Sequence, residues 1–175
     1  GPFRGVALAG REPATLAAPR LAATRRDGEQ HLRLDAQVRL HDGARLTSAT
    51  LRCGGLAAPA TLVEDEGGVR LSATLRADAL APWWPHTHGT PALHEASLAL
   101  VVDGAERVVA LGRVGFRELA VDRGADGEGF ALRVNGVPVF CRGACWMPLD
   151  PASLDASAEA YARALRQVTD AGFTM

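Results

Sequence analysis

The 175-residue chain holds 19 basic and 20 acidic residues, a formal net charge of −1, and is 47% hydrophobic and 22% charged. That charge balance leaves no electrostatic footprint for nucleic acid, so no such partner is expected. The apolar content supports a core and argues against disorder, and the length fits one large domain, or one of about a hundred residues plus a further piece.

Every basic residue is Arg, and neither Lys nor Ile occurs, which reads as GC-rich coding bias rather than a functional device. Three cysteines, Cys53, Cys141 and Cys145, cannot close a disulfide framework. The longest strong apolar run, Leu98 to Val102, is strand-sized and well short of the about 18 residues of a membrane helix, so no membrane partner is expected. With no initiator Met and no basic-then-apolar leader, the chain is expected to begin after processing or inside a longer polypeptide.

Along the chain the dominant period is two. Leu32, Leu34, Ala36, Val38 and Leu40 alternate with His31, Arg33, Asp35, Gln37 and Arg39, the pattern of a half-buried strand. Shorter candidates lie at Leu46 to Arg52 and Thr61 to Glu64, and Val69, Leu71, Ala73 and Leu75 repeat the alternation. A further run, Ala96 to Val102, meets the hairpin signal Asp103-Gly104 and is answered by Arg107 to Leu111. Val114 to Val121 is the last of this series. About seven short strands with turn residues between them predict a mainly β fold, a two-sheet antiparallel sandwich of the immunoglobulin class.

At Asp122 to Gly129 the text changes to the polar, glycine-rich DRGADGEG, the best boundary signal in the chain. Phe130, Leu132 and Val134 then alternate up to Asn135-Gly136, a two-residue hairpin turn, and Val137 to Cys141 runs back, continuing to Pro148. Ser153 to Ala171 has helical spacing, with Tyr161, Ala164, Leu165 and Val168 on one face, Asp155 or Ser157 as cap, Glu159 in the first turn and Gly172 at the end. Strand, helix and the start of another strand at Phe173 make one β-α-β step of a barrel. One unit cannot close a barrel, so this portion is expected to be an incomplete piece or an ornament on the sandwich.

The run RVNGVPVFCRGACWMPLD, the helix after it and Gly172-Phe173-Thr174-Met175 resemble the start of the catalytic barrel in glycoside hydrolase family 2, nearest its β-mannosidase branch. Upstream, Trp83-Trp84-Pro85, Gly89, Pro91-Ala92-Leu93 and Val114-Gly115-Phe116-Arg117 resemble the text of that family's immunoglobulin-like domain. Cys145 stands where the family usually has Asn. The resemblance implies three portions: 1–12 as the tail of a preceding sugar-binding domain, 13–122 as the sandwich, and 123–175 as the opening of a (β/α)8 barrel.

Retaining glycoside hydrolysis uses two carboxyl groups about 5 to 5.5 Å apart. By resemblance these belong to the fourth and seventh barrel strands, so no catalytic residue is expected in this chain, nor any cofactor. The same resemblance places Cys145, Trp146 and Asp150 at the catalytic mouth, with the indole stacking on a sugar and Asp150 accepting from hydroxyls. The alternative has Trp146 packing under a loop and Asp150 capping a turn before Pro151, and both readings stand. Trp83 and Trp84 are expected to serve packing rather than a sugar platform. His86, His88 and His94 lack the acids or thiols to complete a four-ligand set, so no metal is expected. Cys141 and Cys145 are expected to be buried, inert thiols on one strand face, and Arg117 and Arg142 to make structural or solvated ion pairs.

Two functional expectations follow. In the first, the chain is a non-catalytic portion of a β-mannosidase-like exo-glycosidase acting on a carbohydrate substrate, with an exo-β-glucosaminidase or another family 2 β-glycosidase as the alternative specificity. In the second, it is a stand-alone carbohydrate-binding or adhesion sandwich. The Tyr161-Leu165-Val168 face, lacking the rest of a barrel to cover it, is expected to leave the carboxy-terminal portion less stable than the sandwich and open to self-association.

Overall fold

A computed structural model describes residues 12–174 of the chain. The proposed tail at 1–12 therefore lies outside the described residues except for Glu12, which pairs with Arg107 at 2.8 Å. The described residues divide into two compact units, one comprising 12–23, Glu29–Leu80 and His94–Val114, the other Thr24–Gly28, Ala81–Leu93 and 115–174.

The first unit is the sandwich. Its strands are β1 (Ala14–Arg26, of which the last three residues group with the second unit), β2 (Glu29–Leu40), β3 (Leu46–Cys53), β4 (Leu56–Pro59), β5 (Thr61–Asp65), β6 (Gly68–Arg76), β7 (His94–Val102) and β8 (Ala105–Val114). They form two four-stranded sheets, ordered β1-β2-β6-β5 and β4-β3-β7-β8. In immunoglobulin lettering that is an ABED sheet and a CFG sheet extended by one strand on the C edge. The expected mainly β, immunoglobulin-like sandwich is what the chain forms.

The core is built by the period-two residues. Leu32, Leu34, Val38, Leu71 and Leu75 from one sheet, and Leu51, Leu98, Leu100 and Val102 from the other, are all essentially buried. Each such side chain contributes roughly 1.5–3 kcal/mol by leaving water. The alternating positions between them face outward, as a pleated strand requires.

Two strands lacked a clear period. β1 has an Ala- and Pro-rich text, and its backbone is interrupted at Ala18, where φ is +46°, just before Pro19. The signal that marks it is the turn after it: Asp27 and Gly28 have φ of +51° and +86°, as a two-residue type I′ turn demands. Asp103-Gly104, at +51° and +79°, is the expected hairpin. β8 runs past Leu111 because a bulge opposite Ala96/Ser97 absorbs one residue, with Gly112 at φ +96° supplying the left-handed conformation.

The second unit contains a three-stranded antiparallel sheet, ordered β11-β10-β9, from β9 (Leu119–Asp122), β10 (Ala131–Val134) and β11 (Val137–Val139). The Asn135-Gly136 turn has φ of +50° and +82°, matching the predicted hairpin. DRGADGEG is the loop joining β9 to β10, whose residues pair from Ala131 opposite Asp122 to Val134 opposite Leu119. Of the run Val114 to Val121, only Leu119 onward is a strand in this sheet; Phe116 is instead a fully buried anchor.

The return strand stops at Val139 and does not continue to Pro148. No neighbouring strand is present among the described residues to pair with 140–149, and Pro138 removes a donor just before the end. The segment is instead held where Thr174 meets it: the Thr174 amide donates to Arg142 O at 2.8 Å, its hydroxyl donates to Phe140 O at 2.8 Å, and the Arg142 amide donates to Thr174 Oγ1 at 3.1 Å.

The helix, α1 (Ala158–Asp170), starts later than Ser153. Asp150 to Ser153 turns on the Asp150 side chain, and Leu154 takes φ +56°, which a helix cannot include. Ser157 caps it, accepting from the Ala160 amide at 3.2 Å, with Glu159 in the first turn. At the far end Gly172, at φ +72°, donates to Thr169 O and Phe173 to Val168 O, a Schellman closure. No residue of α1 is buried, and Leu165 is 53% exposed.

Candidate functional site

The residues singled out from the sequence, Cys145, Trp146 and Asp150, lie on the irregular segment between β11 and α1. Trp146 is 48% exposed, Met147 72% and Phe140 78%, so this stretch presents an apolar surface. Among the described residues no hydrogen bond or ion pair joins the three to one another.

Asp150 organises its own turn. Oδ1 accepts from the Ala152 amide at 2.9 Å and Oδ2 from the Ser153 hydroxyl at 2.7 Å. These bonds, the Ser153 hydroxyl first, hold its carboxyl below the usual range. A carboxylate offers about four lone-pair sites, so the turn leaves acceptor capacity unused.

Cys53 is buried, which pushes its thiol pKa up, but the expectation of buried thiols concerned Cys141 and Cys145. It fails for Cys145, which is exposed, and Cys141 is intermediate. The reason is the early end of β11: without a ladder, Cys145 shares no buried strand face.

The Trp-Trp-Pro segment is packed within the second unit. The Trp83 amide donates to Phe116 O at 2.8 Å, and Gly115 lies so close to the Trp83 ring that a Cβ there would sit 3.0 Å from it. Gly89 gives Trp84 the same clearance. Among the described residues Arg117 has no carboxylate partner of the expected kind; its guanidinium lies 5.0 Å from the Trp83 ring centroid, a cation–π contact.

Asn135 has a role that its turn position hid. Its Nδ2 donates to Trp83 O at 3.0 Å, its Oδ1 accepts from the Glu118 amide at 2.9 Å, and its own amide donates to Glu118 O at 2.9 Å. One side chain thus ties the hairpin to both the Trp83 and the Phe116-Arg117-Glu118 stretches. The single sequence hint is that Asn135 is the only Asn in the chain.

On the same sheet Arg133 clasps Asp122 through Nε and Nη2, at 2.9 and 2.8 Å. Asp122 also accepts from the Gly124 amide, and that bond first, then Arg133, lowers its pKa. Among the described residues no group of three or more His, Cys, Asp or Glu is arranged to hold a metal ion, and His88 Nδ1 lies 2.8 Å from Thr87 Oγ1.

No protein-family model matches the chain. It is 34% identical over 128 residues to "Beta-mannosidase B" of Aspergillus fumigatus, an alignment covering 70% of this chain and 15% of that protein. With the protein of the same name from Aspergillus terreus the identity is 41% over 81 residues, covering 45% and 10%. The fold matches an exo-chitosanase of Amycolatopsis orientalis with a TM-score of 0.73, at 22% identity over 92% of this chain and 19% of that one. A β-D-mannosidase from Dictyoglomus thermophilum gives 0.68 at 20% identity over 94% and 21%.

These similarities support a β-mannosidase-like portion of glycoside hydrolase family 2. The chain spans only a small part, 15% and 10%, of the two curated relatives' lengths. The motif blocks that carried the resemblance lie in its second unit: Trp83-Trp84-Pro85, Gly115-Phe116-Arg117 and the Asn135-Gly136 hairpin are bonded to one another there through Trp83, Glu118 and Asn135.

Proposed function

We propose that this chain is a supporting portion of a β-mannosidase-like retaining exo-glycosidase that removes terminal β-linked sugars from a carbohydrate substrate. In this reading 1–12 end a sugar-binding domain, 13–122 form the immunoglobulin-like domain, and 123–175 open the (β/α)8 barrel. Because β9 pairs with β10, the junction at 122/123 is a hydrogen-bonded sheet rather than a loose tether. The observation that carries the reading is the similarity to the curated β-mannosidases over 70% of the chain. The bond from Thr174 to Arg142, reached after one helix, supports it, since a β-α-β unit returns the chain beside its first strand.

Trp146, Asp150 and Cys145 then contribute one wall of the active site, with the half-exposed indole as a stacking surface and Asp150 using its spare lone pairs on sugar hydroxyls. The two reacting carboxylates belong to chain outside these 175 residues, so the work of this portion is to fix the first barrel strand. Assay of the chain alone with p-nitrophenyl β-mannoside and β-glucosaminide is expected to give no turnover; turnover by the chain would refute the division of labour. In protein extended with the downstream coding sequence, Trp146→Ala is expected to raise KM with folding intact, and an unchanged KM and kcat would remove Trp146 from the wall.

A further inference from the structure

On the outward face of the β1-β2-β6-β5 sheet lies an open groove of about 460 Å³, lined by Arg33, Asp35, Pro59, Thr61, Ser72 and Thr74. The register explains their convergence. Arg33 pairs opposite Thr74, Asp35 opposite Ser72, and Ser72 opposite Thr61, so five polar side chains from three adjacent strands share one face. Leu32, Leu34, Leu71 and Leu75, one position off, point into the core.

Two of these groups are set apart from the other charges of that face. Arg70 is paired with Asp65 at 2.9 Å, and Arg76 with Asp78 and Glu29. Among the described residues neither the Arg33 nor the Asp35 side chain has a hydrogen-bond or ion-pair partner. A guanidinium and a carboxylate two residues apart, about 7 Å along the strand, thus stand open to solvent beside three hydroxyls.

We propose that this groove binds a neutral saccharide. The pair carries no net charge: an anion at Arg33 would face Asp35, and a cation at Asp35 would face Arg33. A polyol satisfies both, with its hydroxyl oxygens accepting from the guanidinium and vicinal hydroxyls donating to the carboxylate. Ser72, Thr61 and Thr74 supply groups that donate and accept. The span of three strands, about 10 Å from two steps of about 4.8 Å, suits one or two linked rings. No aromatic side chain lines the groove, so binding is weak and carried by hydrogen bonds. The choice of β-linked probes rests on the proposed function; the groove itself does not.

The test is a titration of the 175-residue chain with β-1,4-mannobiose and cellobiose, followed by amide NMR, with sulfate and an alkyl diamine as ionic controls. Saturable shifts confined to the strands around residues 33–35, 61 and 72–74, and weakened at least fivefold in Asp35→Ala, are expected. Should Asp35→Ala fold poorly, Thr61→Val with Thr74→Val serves in its place. Absence of shifts at the groove, equal response to sulfate or the diamine, or unaltered binding in the variants overturns the proposal. Shifts confined to Cys145–Asp150 also overturn it while supporting the wall reading, whereas turnover by the chain alone would refute that reading and leave the groove standing.

Discussion

The Asn135 clamp can be isolated experimentally because two demands on the residue separate cleanly. Its φ of +50° is a turn requirement that Gly meets without strain. The bonds to Trp83 O and from the Glu118 amide need the amide side chain. Asn135→Gly therefore keeps the turn and removes two side-chain hydrogen bonds, each worth about 0.5–1.5 kcal/mol, for a loss of about 1–3 kcal/mol. Asn135→Ala adds the cost of a Cβ at positive φ, about 1–2 kcal/mol more. Native-state hydrogen exchange reads the result locally: the Glu118 amide is expected to exchange about 5- to 150-fold faster in Asn135→Gly, tenfold for each 1.4 kcal/mol, and faster again in Asn135→Ala. Exchange at Glu118 within twofold of the parent chain, with the β10–β11 hairpin intact, would refute the clamp. Asn135→Asp sharpens the comparison, since it keeps the acceptor for Glu118 and sets a carboxylate oxygen against the Trp83 carbonyl.

Phe116→Ala empties a fully buried site in the second unit and is expected to cost about 3–5 kcal/mol, read by urea unfolding followed through tryptophan fluorescence. Ser157→Ala removes the helix cap and is expected to cost about 1 kcal/mol, seen as faster exchange in the first turn of α1 with β2 unchanged. Asp122, with its folded pKa lowered, stabilises β9 and β10 above the unfolded carboxylate value of about 3.9, and the contribution is lost as pH falls through the lower folded value. NMR titration of Arg133→Met is expected to raise the Asp122 pKa only partway, because the Gly124 amide is the larger cause; full return to the ordinary value would contradict that assignment. α1 is expected to exchange faster than β2, since none of its residues is buried, and equal protection in dilute solution would refute this.

The strands of the sandwich were legible wherever one face is buried, because burial forces the period: Leu32 to Leu40, Val69 to Leu75 and Ala96 to Val102 all point their apolar members inward. β1 escaped because alanines and Pro19 blur its alternation, and only Asp27-Gly28 betrays it. The helix cap and stop were readable since they are local contacts, whereas its start moved to Ala158 under a turn built by Asp150. Around the candidate site the limit was distance along the chain. The bond from Asn135 to Trp83 crosses 52 positions, and no local pattern announces it. Cys145 was misplaced by the same shortfall: alternation past Val139 looks like a strand, but a strand needs a neighbour to bond with.

The interruptions at Ala18 and Gly112 have a consequence for how many copies of the chain coexist at high concentration. An outermost strand displays unsatisfied amides and carbonyls that a second molecule can zip onto. β4 and β5, the outer strands on one side of each sheet, span only 4 and 5 residues. The long outer strands, β1 with 13 and β8 with 10, are those broken by the left-handed Ala18 before Pro19 and by the Gly112 bulge. Straightening either, as Gly112→Val would by disfavouring positive φ, hands a neighbouring molecule an unbroken template and with it a route to fibrous assembly.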